Sequence, residues 1–138
     1  MIVETDVIIK LLLSVGLGLL IGLEREISRK PAGLRAHSLV SLGACLFTLA
    51  SLSLGNVESV GRMLPGIVTG IGFLGAGIIF QSEDRVKGLT TAAEIWALAA
   101  IGILIGIGSY SVAIISAILI LIILVPFKWF EKRMEKVK

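Results

Sequence analysis

The chain has 138 residues, of which 56% are hydrophobic and 17% charged, with a formal net charge of +3 at pH 7. This composition and a mean hydropathy of +1.00 exclude an ordinary soluble domain and indicate an integral membrane protein. The basic residues cluster beside apolar runs and do not cover a soluble face, so nucleic-acid binding is not expected. The single cysteine, Cys45, cannot form an intrachain disulfide and lies in an apolar run, which predicts a buried, unreactive thiol.

Five apolar runs are each about long enough to cross a hydrocarbon core of ~30 Å. Their approximate limits are Val7 to Leu23, His37 to Leu54, Leu64 to Phe80, Ala92 to Ile107 and Val112 to Phe127. The runs are continuous and do not alternate, so they predict helices and not barrel strands. The expected fold is all-α: one transmembrane domain of five helices, with a short basic tail at 128–138. Glu4 and Asp6 precede the first run, so a cleaved signal peptide is not expected.

The distribution of Lys and Arg between the loops predicts the orientation. With the N-terminus outside, the outer side carries only Lys10 and Arg62. The inner side then carries eleven basic residues: Arg25, Arg29, Lys30, Arg35, Arg85, Lys87, Lys128, Lys132, Arg133, Lys136 and Lys138. This asymmetry predicts an external N-terminus and a cytoplasmic tail. Trp129, Phe127 and Phe130 fit an aromatic belt at the inner interface.

The two halves of the chain resemble each other. GLGLLIG at 16–22 followed by KPAGL at 30–34 aligns with GIGFLGA at 70–76 followed by KGL at 87–89. The spacing is 17 residues from Gly16 to Gly33 and 18 from Gly70 to Gly88. Both copies run in the same direction, so the pattern indicates a parallel duplication of a helix-loop-helix pair. Chance similarity of glycine-rich segments explains the alignment equally well.

Small residues should mark the helix contacts, because apolar side chains gain little by leaving lipid for protein. In the third run, one side carries Gly66, Gly70 and Gly77 and the opposite side carries Gly72, Gly75 and Ala76, which predicts a helix between two neighbours. The remaining side, with Ile67, Ile71, Leu74 and Ile78, would face lipid or another subunit. The fifth run has no glycine and should be peripheral.

The second run carries a polar stripe at helical spacing: His37, Ser41, Ala44, Thr48 and Ser51. The stripe could line a substrate path. Alternatively, its hydroxyls make hydrogen bonds between helices and to carbonyls one turn earlier, which is the favoured interpretation because no charge enters the stripe. His37, at the membrane edge, is expected to be a hydrogen-bonded interfacial residue and not a metal ligand.

Glu94 lies at the start of the fourth run and admits two interpretations. An ionisable residue in a bilayer is commonly a functional group that faces the interior of the bundle. Glu94 shares its side of the helix with Leu98, Ile101 and Ile105, whereas the small residues Ala92, Ala99, Gly102 and Gly106 lie elsewhere. Thr91 and Glu94 also match the S/T-x-x-E capping box, so a helix cap is the favoured interpretation.

The loops LEREISRKPAGLRAH and QSEDRVKGLTTAA each place charges beside a glycine that precedes a helix. Helix N-termini attract anions, so Arg25, Arg29, Lys30 and Arg35 could bind lipid head groups, phosphate or an acidic partner. The positive-inside rule explains the same residues. Oxygen donors for Mg2+ are Glu24, Glu26, Glu83 and Asp84, but each has basic neighbours. No cofactor is expected, and Mg2+ is the one ion that these donors leave as an alternative. P-loop, dinucleotide, HExxH and nucleophile-elbow motifs are absent, so an enzyme is not expected.

Four ordered blocks resemble the MgtC/SapB family of bacterial inner-membrane proteins. They are GLERE at 22–26, KPAGLRAHSLVSLGA at 30–44, GIGFLGAGII at 70–79 and GLTTAAEIWALAAIG at 88–102. The resemblance spans roughly residues 11 to 108 and implies a plasma-membrane protein of about five helices, associated with growth at low Mg2+ and survival in macrophages. The family motif implied for the first half covers Gly22, Glu24, Arg25, Pro31, Gly33, Leu34, Arg35 and His37. In the second half it covers Gly72, Gly75, Gly77, Gly88, Leu89, Thr90, Thr91 and Trp96.

The resemblance implies a regulator that restrains the F-type ATP synthase and influences phosphate uptake and membrane sensor proteins. Better-known family members continue into an ACT-like cytoplasmic domain that is not found in these 138 residues, so roles that depend on that domain are not expected. The function expected is a regulator of Mg2+, phosphate and ATP homeostasis that acts through membrane-protein contacts and as a homodimer. The alternative is a carrier or channel for Mg2+ or another small ion.

Overall fold

The computed structural model describes residues 2–55, 57–82 and 85–127, and within these the side chains of 5–55, 58–79 and 86–127. The described chain forms five helices and one short hairpin, which confirms the all-α fold. The helices are α1 (Ile2–Ile27), α2 (Leu34–Ser53), α3 (Val57–Ile78), α4 (Leu89–Gly106) and α5 (Tyr110–Leu124). The hairpin strands are β1 (Phe80–Ser82) and β2 (Arg85–Lys87).

Four of the described helices, α1 to α4, are long and apolar enough to cross a membrane, and α5 is a shorter apolar helix of 15 residues. The helices extend beyond the apolar runs, most clearly where α1 continues through Glu24, Arg25 and Glu26 to Ile27. Charged residues do not end a helix, because a helix satisfies its own backbone in the interface as it does in lipid. Hydropathy therefore located the five helices but underestimated the lengths of α1 to α4.

The connection between α3 and α4 is an antiparallel hairpin where the sequence predicted an irregular loop. Phe80 pairs with Lys87, Gln81 with Val86 and Ser82 with Arg85. Strands of three residues are too short to show alternation in the sequence, so the pattern gave no signal. Gly88 then begins α4 with φ of 87°, and a Cβ at this position would overlap the carbonyl oxygen of Ile78. The hairpin thus returns the chain against the end of α3 at a residue that must be glycine.

Helices α2 and α4 form the centre of the bundle. Helix α1 packs on α2 and contacts α4, α3 packs on α4 and α2, and α5 packs on α4 and α1. The core side chains come mainly from these contacts: Ile21, Cys45, Leu98, Ile101, Ile105, Ala113 and Ala117. The exterior carries large exposed apolar side chains on every helix, as expected for a surface that faces lipid. Cys45 is buried, as the sequence predicted.

Helix α5 lies at the periphery, as its sequence predicted. It contacts the bundle through Ala113 and Ala117, one helical turn apart, while residues such as Ile115 and Leu119 are exposed. Gly108, with φ of 88°, allows the reversal between α4 and α5, and the amide of Ser109 bonds to the carbonyl of Leu104 in a Schellman arrangement. Tyr110 at the start of α5 donates a hydrogen bond of 2.8 Å to Asp6 of α1. The short helix is therefore held at its N-terminal end.

The two helix pairs have the same element order, α1–α2 and α3–α4. Gly33 and Gly88, which the sequence alignment matched, both occupy the N-cap of the second helix of their pair. The two second helices are also the two central ones. This arrangement is what a parallel duplication would produce, and the duplication stays a prediction.

Candidate functional site

The charged side chains of three helices meet at one end of the bundle. Arg25 lies in the last turn of α1, His37 in the first turn of α2 and Glu94 in the second turn of α4. All three are buried, with relative exposures of 2%, 0% and 5% respectively. We refer to Arg25, His37 and Glu94 as the charge cluster. Buried ionisable groups in a membrane protein are costly unless they are paired, and they are common at functional sites.

Glu94 is the centre of the charge cluster. Its Oε1 lies 2.9 Å from Nε2 of His37, and its Oε2 lies 3.1 Å from Nε of Arg25. The contact with Arg25 has the distance of an ion pair without the alignment of a hydrogen bond. Glu94 therefore joins α4 to both α1 and α2, and the interpretation of this residue as a helix cap was wrong.

The position at which α4 begins explains why Glu94 is not a helix cap. Helix α4 begins at Leu89 with Gly88 as its N-cap, so Thr91 and Glu94 already lie inside the helix. Thr91 is buried, and none of the described side chains forms a capping hydrogen bond at Gly88. The face that Glu94 shares with Leu98, Ile101 and Ile105 is also buried, because α4 is central and is covered on several sides. Helix α4 therefore has a second inward face besides the one that its small residues marked.

His37 makes a hydrogen bond with each ring nitrogen. Nδ1 lies 2.9 Å from the carbonyl oxygen of Gly33, one turn earlier in the chain. A carbonyl oxygen only accepts, so Nδ1 carries a proton and donates. The proton between Nε2 and Oε1 of Glu94 then gives either imidazolium with carboxylate or imidazole with carboxylic acid. His37 is hydrogen-bonded as predicted, but it is fully buried and not exposed at the interface.

Arg25 has a second carboxylate partner in its own helix. One terminal nitrogen lies 2.9 Å from Oε2 of Glu24, whose other oxygen accepts a hydrogen bond from the hydroxyl of Ser28. Arg25 thus lies between the carboxylates of Glu24 and Glu94. The sequence had placed Arg25 among exposed residues that could bind head groups or phosphate, and its burial contradicts that assignment. The charge of Arg25 is paired with carboxylates inside the protein.

Two glycines bring α1 close enough to α2 for Arg25 to reach the other helices. A Cβ on Gly18 would lie 2.8 Å from the carbonyl oxygen of His37, and one on Gly22 would lie 2.9 Å from Cα of Leu34. Neither distance leaves room for a side chain, so only glycine permits this approach. Gly22 and Gly18 of the motif GLGLLIG thus lie one and two helical turns before Arg25, and their contacts with α2 position this residue.

The N-terminus of α2 is occupied by the chain's own carboxylate. Oε2 of Glu26 accepts a hydrogen bond of 3.2 Å from the amide of Leu34, and a Cβ on Gly33 would overlap this carboxylate. The carboxylate of Glu26 occupies the helix N-terminus at which the sequence predicted that an external anion could bind. Its negative charge also complements the helix dipole. Glu26 therefore caps α2, and the end of its flexible side chain occupies the space beside Gly33.

The polar stripe of α2 faces inward along its whole length: His37, Ser41, Ala44, Thr48 and Ser51 are all buried. Thr48 donates to the carbonyl of Ala44 at 2.8 Å, which agrees with the predicted bonds to carbonyls one turn earlier. Among the described residues of the stripe, the hydrogen bond to another helix comes from His37 and not from the predicted hydroxyls. Ser41 and Ser51 have buried hydroxyls for which the described part of the chain offers no hydrogen-bond partner. The stripe is thus covered by protein, and only part of its hydrogen bonding is satisfied.

Gly102 and Gly106 of α4 cover this stripe. A Cβ on Gly102 would overlap the carbonyl oxygen of Ser41 and lie 2.9 Å from Cβ of Ala44. A Cβ on Gly106 would lie 2.6 Å from Cβ of Thr48. The predicted role of both glycines in helix packing agrees with these contacts. Helices α2 and α4 approach so closely here that backbone contacts side chain directly.

The glycines of α3 mostly do not pack. Gly75 meets Ala92 of α4, with a Cβ distance of 3.5 Å. For the others that the sequence assigned to packing, Gly66, Gly70, Gly72 and Gly77, no atom of the described chain lies within 4 Å of where a Cβ would be. Only 6% of the apolar window of α3 is buried, compared with 56% for α4. Helix α3 does have two neighbours, α2 and α4. The prediction that glycines on two sides of α3 make these contacts was wrong within this chain, because a glycine face does not specify which helix covers it.

The remaining predicted residues lie outside the charge cluster. Pro31, Arg35 and Thr90 are exposed, and Trp96 on α4 is 53% exposed. Thr90 shares a narrow cavity of about 180 Å³ between α4 and α5 with Glu94. Glu83 and Asp84, two of the predicted Mg2+ donors, lie outside the described residues. Within the described ranges, no group of three or more His, Cys, Asp or Glu side chains could hold a metal ion.

Sequence reasoning missed that Arg25, His37 and Glu94 are mutual partners. Each was noted by itself, and all three lie near the same predicted side of the membrane. The sequence did contain one indication of this pairing. A carboxylate and a basic residue that lie near the ends of apolar runs on the same side of the membrane are expected to pair, because burying either charge alone is costly. The pairing also needed the knowledge that α1, α2 and α4 adjoin.

The fold and the charge cluster define a polytopic α-helical membrane protein with an internal ion-pair site. The chain belongs to the MgtC family, whose profile matches residues 11–133. It is 46% identical over 114 residues to "Protein MgtC" of Salmonella typhimurium strain LT2, covering 83% of this chain and 49% of that protein. It is 36% identical over 137 residues to "Protein SrpB" of Synechococcus elongatus, covering 89% of this chain and 75% of that protein.

A third relative is "Putative magnesium transporter YhiD" of Escherichia coli K12, which is 43% identical over 115 residues, covering 78% of this chain and 54% of that protein. The chain thus spans about half the length of the Salmonella and Escherichia coli relatives. No solved structure gives a significant match. The family resemblance expected from the four sequence blocks is confirmed.

Proposed function

We propose that the chain is a regulator in Mg2+ homeostasis that acts through contacts with other proteins of the bacterial plasma membrane. Family membership and the name of the Escherichia coli relative support the connection to magnesium. The resemblance adds phosphate and ATP homeostasis, with the F-type ATP synthase and membrane sensor proteins as partner classes. The proposed orientation places the N-terminus outside and the loops around Arg35 and Lys87 in the cytoplasm, following the basic residues. No enzymatic step and no cofactor belongs to this proposal.

The observation that carries the proposal is the closed contact between α2 and α4. The polar stripe of α2 is the surface best suited to line a path, and Gly102 and Gly106 cover it at distances that exclude even a methyl group. The charges of Arg25 and Glu94 are paired with each other and with neighbouring side chains. A bundle whose charged groups are paired internally and whose polar stripe is covered offers its exterior, and not its interior, to other molecules.

The exposed side of α3 is the surface that we propose for a homodimer. Thr69, Gly72, Phe73 and Ala76 are exposed there, and Phe73 is 80% exposed. Small residues let two helices approach closely, and an aromatic side chain beside them adds buried area. A self-complementary contact of this kind would place two α3 helices across a two-fold axis.

Disulfide crosslinking in native membranes tests the homodimer. The variant Gly72→Cys places a thiol on the exposed side of α3, and Gly16→Cys places one at an equally open position on α1. We expect oxidation to give a crosslinked dimer with Gly72→Cys and little with Gly16→Cys, because only the first thiol meets its symmetry mate. The unaltered chain, whose native thiol Cys45 is buried, controls for background. Equal crosslinking of both variants, or none together with no specific partner by amine crosslinking, would contradict the proposal.

A second function, transport of Mg2+ or another small ion, is favoured by one observation. The charge cluster lies inside an apolar bundle, where ionisable groups are frequent in ion pathways, and Ser41 and Ser51 have unpaired hydroxyls among the described residues. The purified chain in liposomes that contain a fluorescent Mg2+ indicator distinguishes the two functions. We expect influx no faster than in protein-free liposomes. Influx that is abolished by Glu94→Gln would establish transport in its place.

A further inference from the structure

Helices α2 and α3 enclose an open apolar groove on the side of the bundle. It consists of two adjoining cavities of about 420 Å³ and 610 Å³, which share Leu39, Val40 and Leu74. Their volumes lie in the range of about 300–1,000 Å³ that is typical of ligand sites. The cavity of about 420 Å³ extends to Phe47, and the cavity of about 610 Å³ reaches the loop at Pro31. The groove therefore runs along much of α2.

Missing side chains create this groove. Gly43 of α2 and Gly66 and Gly70 of α3 line it, and no atom of the described chain lies within 4 Å of where their Cβ atoms would be. These three glycines leave a channel between the helices. They differ in this from the glycines at which helices touch, which are Gly18, Gly22, Gly102 and Gly106. The side chains that line the channel are aliphatic or aromatic, so the channel suits an apolar chain and not a polar ligand.

The end of the groove next to Pro31 is basic. Arg35 lies one helical turn before Leu39 on the same face of α2, and Lys30 precedes Pro31. Lys87 precedes Gly88, which lies against Ile78 in the lining of the 610 Å³ cavity, so Lys87 also belongs to this end of the groove. Lys30, Arg35 and Lys87 are all exposed. The nearby carboxylate of Glu26 is bonded to the amide of Leu34, so it caps the helix while these cations face outward.

We propose that this groove binds one anionic phospholipid of the cytoplasmic leaflet, with an acyl chain between α2 and α3 and its phosphate at Arg35 and Lys87. An apolar channel that ends in exposed cations, in the leaflet that carries anionic lipids, matches both parts of such a molecule. A second copy of the chain fits less well inside the groove, because a two-fold axis there would bring two sets of these cations together and like charges would oppose the contact. The proposed dimer contact uses the outer side of α3, whose Phe73 and Ala76 form the rim of the 610 Å³ cavity.

Native mass spectrometry of the full chain tests the proposal. The protein is equilibrated in mixed micelles with equal amounts of phosphatidylglycerol and phosphatidylcholine, and the retained lipid is counted. We expect one tightly retained phosphatidylglycerol. The double variant Arg35→Gln, Lys87→Gln removes two exposed charges, each of which should lower the preference for phosphatidylglycerol about fivefold. Arg62→Gln, at the other end of α3 and 77% exposed, should leave the preference unchanged.

A matched pair on α3 tests the acyl chain. Gly70→Leu fills the groove, whereas Gly61→Leu places the same side chain at an open position of α3 that lines neither the groove nor the proposed dimer contact. Gly70→Leu should lose the retained lipid, and Gly61→Leu should keep it. Equal retention by these two variants, or no preference of the unaltered chain for phosphatidylglycerol, would overturn the proposal. Conversion of a dimer to a monomer by Gly70→Leu, with no loss of lipid, would identify a second copy as the occupant and overturn it equally.

Discussion

Replacing Glu94 with glutamine is expected to lower the free energy of unfolding by about 3 kcal/mol. The substitution leaves the buried Arg25 with a single carboxylate partner, Glu24, and removes the charge opposite His37. Removal of one member of a buried ion pair is costly because the remaining charge loses its compensation without regaining water. The amide of glutamine can still form a hydrogen bond with Nε2 of His37, which places the effect at the lower end of the usual range. Reversible unfolding in mixed micelles with increasing dodecyl sulfate measures it.

The control for Glu94 is the same chemical change at an exposed ion pair. Glu58 and Arg62 are 3.5 Å apart on α3, and their side chains are 74% and 77% exposed. Glu58→Gln should change the free energy of unfolding by less than about 1 kcal/mol. A cycle with Arg25→Gln adds a second check, since the double variant should be less destabilised than the sum of the two single variants. If Glu94→Gln unfolds like the unaltered chain, the charge cluster does not hold the three helices together.

Replacing Gly102 with alanine is expected to destabilise the bundle by about 1–3 kcal/mol, although alanine is the better helix former. The new Cβ would overlap the carbonyl oxygen of Ser41, and a backbone atom cannot move aside as a flexible side chain can. Helices α2 and α4 must therefore separate. The same unfolding measurement reports the effect.

Gly16→Ala is the matched control for Gly102→Ala. Gly16 also lies inside a helix, but no atom of the described chain lies within 4 Å of a Cβ built there. Only helix propensity acts at this position, so the substitution should be neutral or stabilising by up to about 1 kcal/mol. Effects of the same sign and size at Gly16 and Gly102 would show that close packing between α2 and α4 does not determine stability.

The sequence predicted the helices and the buried stripe of α2 because both depend on local periodicity. The run from His37 to Ser51 has polar residues at steps of three and four, and this spacing alone places them on one face. In a membrane, one such face is expected to be covered by protein. Gly102 and Gly106 were assigned to packing by the same reasoning, and both contact that stripe.

The charge cluster and the environment of α3 could not be predicted in the same way, because they depend on which helices adjoin. Glu94 and Arg25 are 69 positions apart in the chain, and periodicity gives the direction of each side chain without its partner. Gly70 and Gly102 have similar sequence surroundings, yet one lines an open groove and the other touches a backbone carbonyl. Small size permits close approach and does not require it.

The accessibility of the polar stripe to water is the most direct test of the central claim, which is that α4 closes α2. The variant Ser41→Cys places a thiol of nearly the same size at a fully buried position that adjoins Gly102. A membrane-impermeant maleimide, applied to both sides of the membrane, reacts only with a thiol that water can reach. Arg62→Cys, at a charged position whose side chain is 77% exposed, serves as the positive control. We expect rapid labelling at residue 62 and none at residue 41 until the protein is unfolded; labelling of residue 41 in the folded protein would contradict the claim.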